Sequence, residues 1–303
     1  NNDQSMRYQA SIDLSNKNNS HTLAYDLIEK HANGGLLRVL EVGCSGGYFG
    51  AAVRAQGHTV WGVEPDYKSS QIAKEELDFA FNGTLDDFYK QHKDEKFDVI
   101  VFGDVLEHFS NPASALVEVK AIMNDGGVIV ASVPNVSHIT VRAMLLEGRW
   151  EYNDLGIMDR THLQFFTEET LVELFDLAGF NVEEIKKVRL SAKEAAQLVG
   201  LKVNNLFIKL IEETVIDPNL DVFQNIVLAR LSSTKEKHVD VKNPANLSSD
   251  FQDLQKQNKQ FKDQVASQND SIERLNDQLL QMNSSTSWKL TAPLRYISSL
   301  FRK

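Results

Sequence analysis

From residue 36 to residue 233, short runs of apolar residues alternate with stretches whose apolar positions recur every three or four residues. Runs of the first kind lie at 36–43, 59–64, 79–82, 97–102, 128–133, 181–188 and 222–231, and they are rich in Val, Ile, Leu and Phe. That density predicts strands buried on both faces, and helical periodicity between them predicts covering helices. The helices are expected near 47–56, 69–77, 112–123, 167–178 and 192–215, with one more over 21–31 ahead of the first strand. Asp125-Gly126-Gly127 and Gly179 read as helix-stopping signals. The fold class this implies is α/β: a Rossmann-like, doubly wound, seven-stranded and mostly parallel sheet.

Beyond residue 233 the pattern changes. Residues 234–246 are polar and hold almost nothing apolar, as a linker does. From 247 to 283 a seam steps by four and three: Leu247, Phe251, Leu254, Asn258, Phe261, Val265, Gln268, Ile272, Leu275, Leu279, Met282. Such a repeat, free of Gly and Pro, predicts a C-terminal coiled-coil helix and a homo-oligomer, with Asn258 and Gln268 setting register. Residues 284–303 carry Lys289, Arg295, Arg302 and Lys303, no acidic residue, and apolar positions including Trp288, Leu294 and Phe301. This basic amphipathic tail suits a membrane surface or a protein partner. The expected organisation is therefore a catalytic domain at 1–233, a linker, a coiled coil and a tail.

The formal charge of −10 over 303 residues argues against a nucleic-acid partner, which would need clustered cations. Cys44 is the only cysteine, which excludes an intrachain disulfide and a multi-cysteine zinc site and fits a reducing compartment. With no signal-peptide pattern and no long apolar span, the expectation is a cytoplasmic protein, peripheral at the inner membrane face if the tail binds lipid.

The first strand runs into Gly43-Cys44-Ser45-Gly46-Gly47 and then a helix, a turn through which backbone approaches a ligand closely. A dinucleotide fingerprint would place Gly at 43, 45 and 48, where this chain has Gly43, Ser45 and Tyr48. Glu64, at the end of the second strand and before Pro65, is placed to accept ribose hydroxyls, a role common to several nucleotide-binding families.

Val39 through Gly47 resembles the first motif of class I S-adenosylmethionine (SAM)-dependent methyltransferases, with Ser45 in place of the middle glycine. Gly83-Thr84-Leu85-Asp86 is similar to the family's segment beside the adenine. Phe97 to His108 is similar to its fourth strand and the loop beside the sulfonium. The resemblance spans about 18–232 and implies SAM as cofactor. Carried over residue by residue, it implies Glu41 at the methionine amino group and Glu64 at the ribose. It places Gly43, Cys44, Ser45, Gly47, Pro65, Thr84, Leu85, Gly103, Asp104 and Val105 around the rest of the cofactor. No metal is expected, because an activated sulfonium needs chiefly alignment, exclusion of water and, for a weakly acidic hydroxyl, a base.

The acceptor side is expected from the segment after the fifth strand, where Trp150, Tyr152, Asp159, Arg160 and His162 gather. Asp159 to Thr167, together with Asp13 and Asn19-Ser20-His21, resembles methyltransferases of bacterial surface-polysaccharide assembly. Residues 285–295 resemble a motif that follows coiled coils in polysaccharide glycosyltransferases and their companions. These likenesses imply a saccharide hydroxyl as acceptor and contact with a glycosyltransferase complex. The core also resembles ubiquinone-pathway relatives, which implies a quinone-type or aromatic hydroxyl instead. A SAM-binding scaffold without turnover is a third reading. Candidate bases are His162, His108 and Asp159; each also has a plain structural reading, with Asp159 paired to Arg160 or Arg142 and His21 either gating the pocket or capping the first helix.

Overall fold

The structure, a computed structural model, describes residues 12–232. The linker, coiled coil and tail expected over 234–303 lie outside the described residues, and with them the expectations of oligomerisation and membrane contact.

Seven strands form one sheet: β1 (Arg38–Val42), β2 (Thr59–Glu64), β3 (Phe79–Asn82), β4 (Phe97–Gly103), β5 (Met123–Pro134), β6 (Phe180–Arg189) and β7 (Val222–Leu231). Their spatial order is β3-β2-β1-β4-β5-β7-β6. The pairs β1–β2, β1–β4, β2–β3 and β4–β5 are parallel, while β7 runs antiparallel to both β5 and β6. Chain order therefore reverses at β1, which has β2 on one side and β4 on the other. In open α/β sheets that reversal leaves a crevice at the carboxyl ends of the strands.

The alternation along each strand decides which helices cover which face. Val39, Val99, Val101, Val128 and Val130 share one cluster with Ala24, Leu27 and Ile28 of α1 (Ser20–Ala32) and with Val53 of α2 (Tyr48–Arg54) and Ala73 of α3 (Tyr67–Glu76). Their neighbours Leu40, Val42, Ile100, Phe102, Ile129 and Ala131 point to the opposite face. There they meet Leu85 and Phe88 of α4 (Leu85–His92), Leu116 of α5 (Pro112–Val119) and Leu171 and Phe175 of α7 (Glu168–Leu177). Period-two alternation of wholly apolar strands thus builds two cores, one on each side. A smaller group, α6 (Ile139–Leu146), α8 (Ala192–Val199) and α9 (Asn205–Thr214), packs through Ile139, Ala143, Ala192, Ile208 and Ile211.

Strands β2, β3 and β7 have the bounds expected from sequence. The run expected to be one helix over 192–215 is two, because Gly200 takes a left-handed φ of 67° and ends α8. The Asp125-Gly126-Gly127 turn is absorbed into β5. There the register against β4 slips between the Phe97–Met123 and Val99–Val128 pairs, with Gly126 at φ 77°. Helix α4 was not expected: Thr84 caps it, its hydroxyl accepting from the Asp87 N–H, and the Asp87 carboxylate accepts from the Thr84 N–H in return. Thr167 caps α7, its hydroxyl accepting from the Thr170 N–H at 3.2 Å.

Candidate active site

A cavity of about 610 Å³ opens at the carboxyl ends of β1, β2, β4 and β5, in the range of small-molecule sites. Its floor is the turn after β1. Gly43 has φ 72°, and a Cβ there would stand 2.6 Å from Val105 Cγ2, so only glycine fits. Its N–H and that of Cys44 both donate to the Val63 carbonyl, at 2.8 and 3.2 Å, drawing the turn toward β2. Ser45 is also left-handed, at φ 49°, a conformation that costs a residue with a side chain about 1–2 kcal/mol. Its N–H donates to Glu64 Oε2 at 2.8 Å, while Oε1 of the same carboxylate accepts from the Asp66 N–H at 2.8 Å. Partial burial pushes the Glu64 carboxyl up, against the pull of those two N–H donors.

Glu41 is buried near the carboxyl end of β1 and lines the cavity. Its Oε2 has no hydrogen-bond partner, and burial raises its pKa to about 8, opposed by the Gly50 N–H. A carboxyl with an unmet oxygen at a cavity wall favours a donor or cation placed there. Burial likewise pushes the Cys44 thiol up, which leaves it an inert wall.

The adjoining wall comes from β4, the neighbour of β1, and the chain beyond it. Asp104 sits at φ 53°, held because its N–H donates to the Ser132 carbonyl at 3.1 Å and its Oδ1 accepts from Ser132 Oγ at 3.1 Å and from the Gln224 amide. Above the cavity α1 contributes Ser20, His21 and Ala24. Desolvation lowers the His21 pKa, opposed by Asp104. Asn19, and not His21, caps α1: its side chain accepts the His21 N–H at 2.9 Å.

His108, Asp159 and Thr161 also line the cavity. Asp159 is buried, and its Oδ1 accepts from the Thr161 N–H at 2.8 Å and Thr161 Oγ1 at 2.6 Å. The expected ion pair with Arg160 or Arg142 is not formed: Arg160 pairs with Asp154, and Arg142 with Asp217. The reason is local, since the Asp-x-Thr turn already satisfies Asp159 and leaves the arginines to outer carboxylates. His162 stands behind the wall, outside the cavity lining. Its Nδ1 donates to the Ile157 carbonyl at 3.0 Å, and burial and the neighbouring His108 lower its pKa.

Of the residues expected around the cofactor, Glu41, Gly43, Cys44, Ser45, Glu64, Pro65, Gly103, Asp104 and Val105 line this cavity. Gly47, Thr84 and Leu85 do not line it. Gly47 begins α2 and packs on Leu77, Thr84 caps α4, and Leu85 is in the core. Sequence reasoning missed Tyr48, Phe49, Asp66, Ser69 and Ser132 as lining residues. A signal existed for Asp66 and Ser69: Asp66 is the cap of α3, accepting the Ser69 N–H at 2.8 Å, and cap and first turn follow directly on Glu64-Pro65. Ser132 lies within an apolar strand run, and only pairing with β4 reveals it.

The methyltransferase-domain family matches residues 13–185, which contain the glycine turn, Glu64 and the loop to His162. A ubiquinone biosynthesis O-methyltransferase of Actinobacillus pleuropneumoniae is 27% identical over 175 residues, covering 54% of this chain and 74% of that protein. One of the same name from Haemophilus ducreyi is 32% identical over 179 residues, with the same coverage. Among solved structures, a SAM-dependent methyltransferase from Archaeoglobus fulgidus superposes with a TM-score of 0.48 at 18% identity, over 69% of this chain and 93% of that one. A glycine turn and acidic strand end at the β1 crevice, inside a matching family domain, lead to one conclusion: the chain belongs to the class I SAM-dependent methyltransferases.

Proposed function

We propose that this enzyme methylates a hydroxyl group of a small, ring-bearing acceptor of the aromatic or quinone-precursor type. The observation that carries the reading is the cavity itself. Its lining brings an acid-bearing glycine turn together with His108, Asp159 and Thr161, so donor and acceptor would meet in one enclosure. The activity named for these relatives, O-methylation in ubiquinone biosynthesis, supports the acceptor class. Trp150, Tyr152 and Phe165 pack on one another outside the cavity lining, with ring centroids 5.4–6.4 Å apart, and Phe165 meets His162 at 6.3 Å.

SAM supplies an activated methyl on a sulfonium; the chain's task is to bind, align and exclude water. Glu64 takes the ribose hydroxyls, and the unmet oxygen of Glu41 takes the methionine ammonium, whose charge stabilises the carboxylate that burial otherwise disfavours. Asp104, with its side chain fixed by Ser132 and Gln224, holds the β4 end beside the reacting centre.

A saccharide hydroxyl is the second reading. It is favoured by the polysaccharide-type segments, because Ser20, His21, Asp159 and Thr161, which belong to them, all line the cavity. Incubation with methyl-labelled SAM and a panel of catechols, hydroxybenzoates and nucleotide sugars separates the two. Transfer to the ring hydroxyls is the expected result, and transfer confined to the sugars would replace it with the second reading.

A further inference from the structure

The carboxyl of Glu107 is an anomaly in this fold. It sits in the turn after β4 with 1% of its surface exposed, and neither of its oxygens has a hydrogen-bond partner. A buried carboxyl left so costs about 1–3 kcal/mol or more, and such groups in native proteins call for an explanation. Repulsion from Asp104 and Asp159 adds to the burial and holds its pKa well above the usual range.

Two imidazoles converge on it. The donor atoms of Glu107, His108 and His162 lie within 4.8 Å of one another, and His162 Nε2 stands 3.9 Å from Glu107 Oε1, too far for a hydrogen bond. In both rings Nδ1 faces a backbone carbonyl: Thr161 O at 3.2 Å for His108, and Ile157 O at 3.0 Å for His162. A carbonyl only accepts, so each Nδ1 carries a proton, and in the neutral ring each Nε2 presents a lone pair. This is the arrangement in which metal-binding histidines are held, tautomer fixed from behind and the free nitrogen turned to the ion. The backbone is pinned as well. The N–H groups of Leu163 and Gln164 donate to the Glu107 carbonyl at 2.8 and 3.0 Å, locking the loop that carries His162 onto the turn that carries Glu107 and His108.

We propose that Glu107, His108 and His162 bind one divalent first-row transition-metal ion at the acceptor end of the cavity. Two imidazoles and one carboxylate suit zinc, iron(II), manganese or cobalt, and they leave open positions on the ion. Metal–ligand distances near 2.1 Å require each donor to move inward by less than about 1 Å from the present triangle. His108 lines the cavity while Glu107 and His162 stand behind it, so the open positions face the acceptor. This changes the expectation that no metal is used, and it gives His162 a ligand's role in place of a base's. Its role in catalysis rests on the reading above: an acceptor hydroxyl reaching the ion becomes more acidic, its O–H proton leaves to water or to a neighbouring carboxylate, and the oxygen takes the methyl as the sulfur–carbon bond breaks.

Ion binding itself needs neither donor nor acceptor, so it is tested apart from function. Untagged full-length protein, stripped with chelator, is titrated with Co²⁺ and followed by visible absorption. The expected result is one Co²⁺ per chain, with affinity at least about 10-fold weaker in both Glu107→Gln and His108→Ala, while circular dichroism and SAM affinity stay at wild-type values. His108 is half-exposed, so its variant keeps a fold in which the comparison is valid. Wild-type protein that takes up no Co²⁺, or takes it up equally in the variants, overturns the site. If Co²⁺ binds as expected but a chelator leaves methyl transfer unchanged, the site stands and the catalytic role falls.

Discussion

Ser45 donates its backbone N–H to the Glu64 carboxylate at 2.8 Å, so the turn after β1 is held by the residue expected to hold the ribose. Glu64 thereby shapes the cofactor site as well as touching it. Glu64→Gln should weaken SAM binding by about 1.5–3 kcal/mol, the range for a hydrogen bond to a charged group, while leaving the fold intact. Calorimetry checks this, and unchanged affinity in a folded variant would move the ribose contact elsewhere.

Glu41 gives the apo protein a pH dependence of stability. Its pKa is raised from 4.5 to about 8, so the native state keeps a proton that the unfolded state gives up. That contribution is full below about pH 4.5 and is lost as the pH rises through 8, by an amount of the order of a few kcal/mol. Thermal melts at pH 5.5 and 8.5 should show a smaller drop for Glu41→Gln than for wild type. Equal drops in the two proteins would mean that Glu41 is ionised at neutral pH without a cationic ligand.

Behind Glu41 the helix α2 comes so close that only a glycine fits. A Cβ at Gly50 would lie 2.6 Å from Leu77 Cδ2 and 2.7 Å from Glu41 Oε2. Gly50→Ala should therefore cost about 1–3 kcal/mol of stability and reduce SAM affinity together, since relief of the clash displaces the Glu41 carboxylate. Urea melts and calorimetry on the same variant measure both effects.

Thr167→Ala serves as a contrast, because it removes the N-cap of α7, which packs on the β4–β5 core away from the cavity. Loss of the cap should cost about 0.5–2 kcal/mol with SAM affinity unchanged. An affinity change in this variant would mean that global destabilisation, and not the local contact, accounts for the Gly50 result.

The sheet was legible because its strands are short apolar runs bounded by turn residues. Val99, Ile100, Val101 and Phe102 announce a strand covered on both faces before any pairing is known. The glycine turn and Glu64 were legible for a related reason, since their chemistry lies within local sequence. Other features depend on contacts between distant segments. Ser132 and Gln224 meet Asp104 only through the β4–β5–β7 pairing, and His162 reaches Glu107 only because residues 163 and 164 bond to the Glu107 carbonyl. His108 is a candidate base in the sequence, but the unmet oxygens of its neighbour Glu107 are visible only in three dimensions. The break at Gly200 is a simpler case: a lone glycine inside a helical pattern is compatible with either continuation or a stop.

The identity of the ligand at the β1 turn is the central claim, and titration calorimetry of the full-length protein with SAM, S-adenosylhomocysteine and NAD tests it most directly. The account predicts one site per chain for SAM and its demethylated product, no measurable heat from NAD, and loss of affinity in Glu64→Gln. Tighter binding of NAD than of SAM, or SAM binding indifferent to Glu64, would contradict it.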